Sequence, residues 1–237
     1  MDNVTQALVL VGGTASRLKT GGVLVPLTKS FMIVNSKPLL YWNLCSLHQA
    51  GIRELIISGD HVRQLYEASK VIKLLPCKFD NIVYFHDEGN GVHGLPYELR
   101  YLLRPLFIID CGHGLSTPAH YKKLMKAKRT CAVVFSGYIT HPANIRQPVL
   151  LKKGKVYATS IPGKAIAHPI IADENYAREL LRLRFKIDTI IQYYSHCGLL
   201  RYVKNTLPPE YDVIEEMKEA HDKYHQYITK HMVSWNK

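Results

Sequence analysis

Gln6-Ala7-Leu8-Val9-Leu10-Val11-Gly12-Gly13-Thr14-Ala15-Ser16-Arg17 begins as a short uncharged, mostly apolar run and ends in a glycine pair, a polar stretch and an arginine. Such a run reads as a buried parallel strand over 6–11 followed by a tight loop. The loop would stand at the carboxyl ends of the sheet strands, where open α/β folds bind ligands. Backbone N–H groups there can point at phosphate oxygens, and a side chain on Gly12 or Gly13 would block close approach. Arg17 can add a two-pronged contact to phosphate. Taken alone, the glycine pair reads better as a bare turn. Its weight comes from what surrounds it.

Working outward, Pro38 starts a helix over 38–50 with Leu40, Leu44 and Leu47 at helical spacing, and Gly51 stops it. Residues 54–58, 81–85 and 106–109 read as strands, the last running into Asp110. Helices are expected over 62–75, 95–103 and 118–128, and a further strand over 130–135. This alternation implies right-handed βαβ units and a mostly parallel central sheet with helices on both faces. Further on, 149–159 reads as a small β-hairpin turning at Gly154. Residues 173–194 read as a helix capped by Asp173, 199–203 as a strand and 211–232 as a long polar C-terminal helix. With no repeat and no low-complexity linker, residues 1–237 are read as one α/β domain.

Composition bounds the function. The chain carries 31 Lys and Arg against 19 Asp and Glu, a net charge of +12. That charge suits nucleotides, sugar phosphates, nucleic acid or an anionic surface. The basic residues are scattered, though, and no aromatic-interleaved basic stretch suits single-stranded bases. No apolar run is long enough to span a membrane. The opening residues do not resemble a signal peptide. The five cysteines, Cys45, Cys77, Cys111, Cys131 and Cys197, include no Cys-x-x-Cys pair, which argues against a disulfide framework and a structural zinc. Free thiols in a reducing cytoplasm are the expectation. His221 and His225 are four apart on the last helix and read as an exposed polar face more readily than as metal ligands.

The pieces Gly12-Gly13-Thr14-Ala15-Ser16-Arg17-Leu18, Thr28-Lys29-Ser30, Val34-Asn35-Ser36-Lys37-Pro38-Leu39 and Ala50-Gly51-Ile52 follow one another in order. Together they resemble the start of the sugar-phosphate nucleotidyltransferase family. That family has a Rossmann-like, glycosyltransferase-A-like α/β fold and joins a nucleoside triphosphate to a sugar 1-phosphate. The resemblance is strongest over the first 60 residues. It implies that Gly12, Gly13, Thr14, Ser16 and Arg17 hold the nucleotide phosphates. It also implies that Lys29 neutralises charge as the α-phosphate is attacked, a role that fits in-line displacement at phosphorus. Lys29 otherwise reads as a solvated loop lysine. The stretch 88–99, with Gly91 and Gly94, stands where the family reads the base, or is a flexible connection.

Other parts depart from the family. Where its fourth strand ends in Gly-Asp and binds Mg²⁺, this chain has Asp110-Cys111-Gly112-His113-Gly114. Ungapped alignment puts His113 at the metal position, and a small gap puts Asp110 there. A hard cation prefers the carboxylate, so Asp110 is the expected ligand; a strand-end capping role reads equally well. The family's Glu-Lys-Pro segment is missing, and Lys164 stands nearest to its acceptor-binding lysine. Glu210 and Asp212 are the residues open for a late metal carboxylate. Three functions follow. The first is Mg²⁺-dependent transfer of a nucleoside monophosphate from a nucleoside triphosphate to a phosphorylated small molecule, with no nucleic acid required and a homo-oligomer left open. The second is a non-catalytic relative that binds a nucleotide or sugar nucleotide as a regulatory or assembly partner. The third is a polyanion-binding module.

Overall fold

A computed structural model describes residues 4–13, 27–87, 97–127, 132–138, 148–159, 164–173, 175, 193–204, 222 and 225–230. The chain opens with strand β1 (Gln6–Leu10), every residue of which is buried. A short hairpin follows, β2 (Ile33–Val34) and β3 (Lys37–Pro38). Asn35 and Ser36 both take positive φ, 51° and 61°, as a two-residue turn between paired strands requires. Helix α1 (Leu39–Ala50) leaves directly from it. Trp42 in its first turn donates to Val34 O at 2.9 Å and holds the hairpin down. Gly51 ends α1 with φ 110°, its N–H returning to the carbonyls of the last turn.

Strand β4 (Glu54–Gly59), helix α2 (Val62–Lys73) and strand β5 (Asn81–His86) come next, then β6 (Leu106–Cys111) and helix α3 (Pro118–Met125). The expected helix over 95–103 is a single 3-10 turn, Tyr97–Tyr101. The remaining strands are β7 (Ala132–Tyr138), β8 (Pro148–Lys152), β9 (Lys155–Ala158), β10 (Lys164–Asp173) and β11 (Leu200–Lys204). The nine-stranded sheet runs β5-β4-β1-β6-β10-β7-β11-β9-β8. Strands β5, β4, β1 and β6 are mutually parallel, as are β7 and β11. Between these blocks lies β10, antiparallel to both β6 and β7. The sheet is thus mostly parallel, with β8–β9 the expected hairpin at one edge.

Strand alternation sorts the core into two layers. Ala7, Val9, Leu55, Ile57 and Ile108 face α1, α2 and α3, where they meet Leu44, Leu47, Ala68 and Leu124. Leu8, Leu10, Ile56, Phe107 and Ile109 face the opposite side, where Leu99 and Tyr194 cover them. This is the α/β architecture expected, with the long described helices on one face. Strand β10 was not expected. Its register shifts between Ala167 and Ile170, so His168 and Pro169 occupy a bulge, the place where a strand tolerates proline. Asp173 ends β10, and its Oδ1 accepts from Asn175 N–H at 3.0 Å, the bond of a helix N-cap. The helix expected beyond it lies mostly outside the described residues, as does most of 211–232. Among the described residues no helix is long and apolar enough to cross a membrane.

Candidate functional site

Parallel β4, β1 and β6 deliver their carboxyl ends side by side. Val11 N–H donates to Ser58 O, and Gly112 N–H to Leu10 O, both at 2.8 Å, so the pairing continues to the rim of the sheet. There the chain leaves β1 as Gly12-Gly13, β4 as Asp60 and β6 as Gly112. Gly13 has φ 92°, which an L side chain rarely adopts. Gly112 is needed for space. A Cβ there would stand 2.9 Å from Ser30 Oγ, 3.0 Å from Val11 Cγ1 and 3.1 Å from Leu40 Cδ1.

That close approach brings Lys29 to the rim. Lys29–Phe31 form a 3-10 turn, closed by Phe31 N–H on Thr28 O at 3.1 Å. Ser30 is buried against Gly112, and Phe31 enters the core. Behind the turn the β2–β3 hairpin is tied to it by Leu39 N–H on Met32 O at 2.9 Å. The apolar side of this segment therefore fixes where the half-buried Lys29 stands. The backbone of β10 also passes this rim. Ile170 pairs with Ile109 and Lys164 with Tyr138, so the first residues of antiparallel β10 overhang the carboxyl end of β6.

Asp60 is a site residue that the sequence reading passed over. Its Oδ2 accepts from Gly13 N–H at 3.3 Å. A Cβ on Gly12 would lie 3.3 Å from its Cγ and Oδ1. Among the described residues its buried Oδ1 has no hydrogen-bond partner. A carboxylate thus rests on the glycine loop that was expected to hold phosphate. The only sequence signal was a Gly-Asp pair closing the strand beside β1.

Asp110 shares the parity of Ile108 and points to the side of α1 and α3. It is 0% exposed. Its Oδ1 accepts from Cys111 N–H at 2.8 Å. Its Oδ2 accepts from Asn43 Nδ2 at 2.9 Å and from the Tyr121 hydroxyl. Asn43 Nδ2 also reaches Gly114 O at 3.0 Å, which ties the turn after β6 to α1. Burial, and then the nearby Asp110, hold the Tyr121 hydroxyl well above its ordinary pKa, so it stays a donor. A carboxylate engaged in this way offers no oxygen to a cation. Mg²⁺ needs accessible oxygen ligands, and His113, half-buried in the turn, would supply imidazole instead. Among the described residues no three His, Cys, Asp or Glu side chains are grouped to hold a metal. The residues present at the end of β6 do not fit the Mg²⁺ ion that the resemblance implies. Asp110 reads here as the keystone of a buried polar triad.

Thr14, Ser16, Arg17, Gly91, Gly94, Glu210, Asp212 and His221 lie outside the described residues. The described residues set Asp60 against Gly12 and Gly13, bring Ser30 of the Lys29 turn and Val11 together at Gly112, and bury Asp110 among Asn43, Tyr121 and Cys111 N–H.

No family model matches the chain, and no curated protein matches it. Solved structures do match. The inositol-1-phosphate CTP transferase from T. maritima aligns with a TM-score of 0.75 over 97% of this chain and 96% of its own, at 14% identity. A nucleotidyl transferase from Methanothermobacter aligns with a TM-score of 0.65 over 95% of this chain and 100% of its own, at 16% identity. A UDP-glucose pyrophosphorylase solved with UDP-glucose aligns with a TM-score of 0.66 over 95% and 100%, at 14% identity. Over nearly its whole length the chain has the fold of these nucleotidyltransferases.

Proposed function

We propose that the protein transfers a nucleoside monophosphate from a nucleoside triphosphate to a sugar phosphate or a similar phosphorylated small molecule, releasing pyrophosphate. The observation that carries this reading is the close approach at Gly112 of Val11, which leads into Gly12-Gly13, and Ser30 of the Lys29 turn, at the carboxyl rim of a sheet whose fold matches solved nucleotidyltransferases. An oxygen of the acceptor phosphate attacks the α-phosphorus in line. The new P–O bond forms as the α–β bridging bond breaks, and pyrophosphate departs. Lys29 and Arg17 offset the charge that builds on the transferring group, where a fixed cation contributes most. The Gly13 N–H is held by Asp60. In this reading the phosphate-facing N–H groups are therefore those of the loop beyond it, through Thr14 and Ser16 to Arg17. Gly12 and Gly13 supply the bare backbone that lets the ligand approach. Lys164, at the start of β10, is proposed to meet the acceptor phosphate.

A second reading has one specific observation behind it. Both oxygens of buried Asp110 accept hydrogen bonds within the fold and His113 stands after it, so the end of β6 lacks the expected metal carboxylate. In that reading the protein binds a nucleotide or sugar nucleotide and does not turn it over. A pyrophosphate-release screen separates the two. Each nucleoside triphosphate is paired with a panel of sugar 1-phosphates and phosphorylated polyols, with thermal-shift binding alongside. Release with one pair is the expected result. Binding with no release from any pair would rule out the transferase and leave the binding protein.

A further inference from the structure

The turn that leaves β4 sets one carboxylate beside the glycine loop. Gly59 has no room for a side chain: a Cβ there would stand 2.9 Å from Gln64 Oε1, 3.2 Å from Leu65 Cδ2 and 3.3 Å from Val11 Cγ2. Its bare backbone lets the first turn of α2 and the end of β1 close on β4. Gln64 Oε1 accepts from His61 N–H at 3.2 Å and fixes the turn just past Asp60. On the other flank Asp87 N–H bonds Gly59 O at 3.0 Å, which ties the turn to the end of β5. Asp60 is thereby held where its Oδ2 accepts from Gly13 N–H and where a Cβ on Gly12 would crowd its Cγ and Oδ1. At 3.3 Å the bond to Gly13 is a long one. A carboxylate can accept about four hydrogen bonds, and among the described residues the buried Oδ1 accepts none.

A negative group in this place selects which part of a nucleotide can lie against it. Phosphate oxygens only accept hydrogen bonds and carry like charge, so the carboxylate turns them away toward the loop beyond Gly13. A hydroxyl donor is favoured instead, because a buried acceptor without a donor costs free energy that an arriving donor offsets. In a nucleotide the ribose is bonded directly to the α-phosphate, and the base stands one group further away. The donors nearest to a phosphate-holding loop are therefore the 2′ and 3′ hydroxyls of the sugar. Dinucleotide-binding α/β folds meet the same need with an acidic residue that follows a glycine loop.

We infer that Asp60 reads the ribose: its carboxylate accepts from the 2′ or 3′ hydroxyl of the bound nucleotide and makes the site prefer ribonucleotides to their deoxy forms. This role rests on the nucleotide site proposed for the rim, and it names the sugar that the site selects. Asp60 is half-buried as a residue. A turn about its Cβ–Cγ bond exchanges the two oxygens, so one can keep Gly13 N–H while the other meets the hydroxyl. The carboxylate then bridges the glycine loop and the sugar, and Gly12 adds no side chain to stand between them.

The test titrates the full chain with each ribonucleoside triphosphate and with its 2′-deoxy and 3′-deoxy counterparts, by isothermal titration calorimetry. The expected result is that a ribonucleotide binds and that removing one of its two hydroxyls weakens binding by about tenfold or more. Asp60→Ala is expected to bind the ribose and deoxyribose forms alike, and Asp60→Asn, which keeps one acceptor, to retain part of the preference. A loss of loop support alone would weaken all forms equally and leave their ratio unchanged. Equal binding of ribose and deoxy forms by the parent chain overturns the role of Asp60 while leaving the nucleotide site standing, and so does an Asp60→Ala protein with the parent's ratio. Binding of no nucleoside triphosphate overturns both. The parent chain's own ratio decides the matter even where a variant does not fold.

Discussion

Lys29 owes its place to its neighbours. Ser30 and Phe31 are buried beside it, so removing the lysine side chain leaves the turn's anchors intact. Lys29→Ala is expected to cut turnover by about 100-fold or more, with Tm nearly unchanged; unaltered turnover would remove Lys29 from the chemistry. Tyr121 is the opposite case, because its hydroxyl is buried on Asp110. Tyr121→Phe is expected to cost about 1–3 kcal/mol in urea unfolding. It also has a pH signature. An unfolded tyrosine ionises near about pH 10, whereas Tyr121 in the fold is held well above that by burial and by Asp110. Above that pH the unfolded chain binds fewer protons than the folded one, so stability falls as pH rises. Tyr227, pushed by burial to about 12, adds to the same alkaline loss. The Tyr121→Phe protein should therefore lose stability less steeply above that pH than the parent does. The positions of Gly12 and Gly13 after a buried strand, and of Lys29 just before the first hairpin and helix, were legible in the sequence because an apolar run, a glycine pair and a helix start follow in order. Asp60, Asn43 and Tyr121 were not. Each is a single polar residue without periodicity, and each acquires its meaning from a partner brought close only by the sheet and its helices.

Helix α3 exists at this position because its first turn is capped on both sides. Thr117 Oγ1 accepts from His120 N–H at 3.3 Å, and His120 Nδ1 accepts from Thr117 N–H at 3.2 Å, with Pro118 starting the helix. Thr117→Ala should cost about 0.5–2 kcal/mol, read from the urea midpoint. Because α3 carries Tyr121, the same change should reduce the protection of the Asp110 network in hydrogen exchange. Strands β1, β4, β5 and β6 were readable as apolar runs between helices, and α1, α2 and α3 by their spacing and stop signals. Strand β10 was hidden because Pro169 and His168 interrupt it, and the bulge that absorbs them is visible only once β7 is alongside. The stretch 97–101 was too short for a period to separate a helix from a 3-10 turn.

At the scale of the molecule, the net charge of +12 and the site at the rim make different demands. The correct nucleotide at a hundredfold excess over its Kd adds about 2.7 kcal/mol of stability. For a chain of this length that is a Tm increase of roughly 5–10 °C, and it should persist in moderate salt because the contacts are directional. A generic polyanion such as heparin should lose its effect as salt rises. A shift only with heparin, and only at low salt, would favour a charge-driven binder over a nucleotide site. The strand order has a further consequence, for the chain during its synthesis. Strand β6 is complete by Cys111, yet its partner on one side is β10, which does not begin until Lys164. While the intervening stretch is translated, the backbone edge of Ile108 and Ile109 waits without the strand that will cover it. The sheet closes at its middle only after Ile170 and Ile171 leave the ribosome, so a nascent chain stalled before that point would present an open β edge to chaperones.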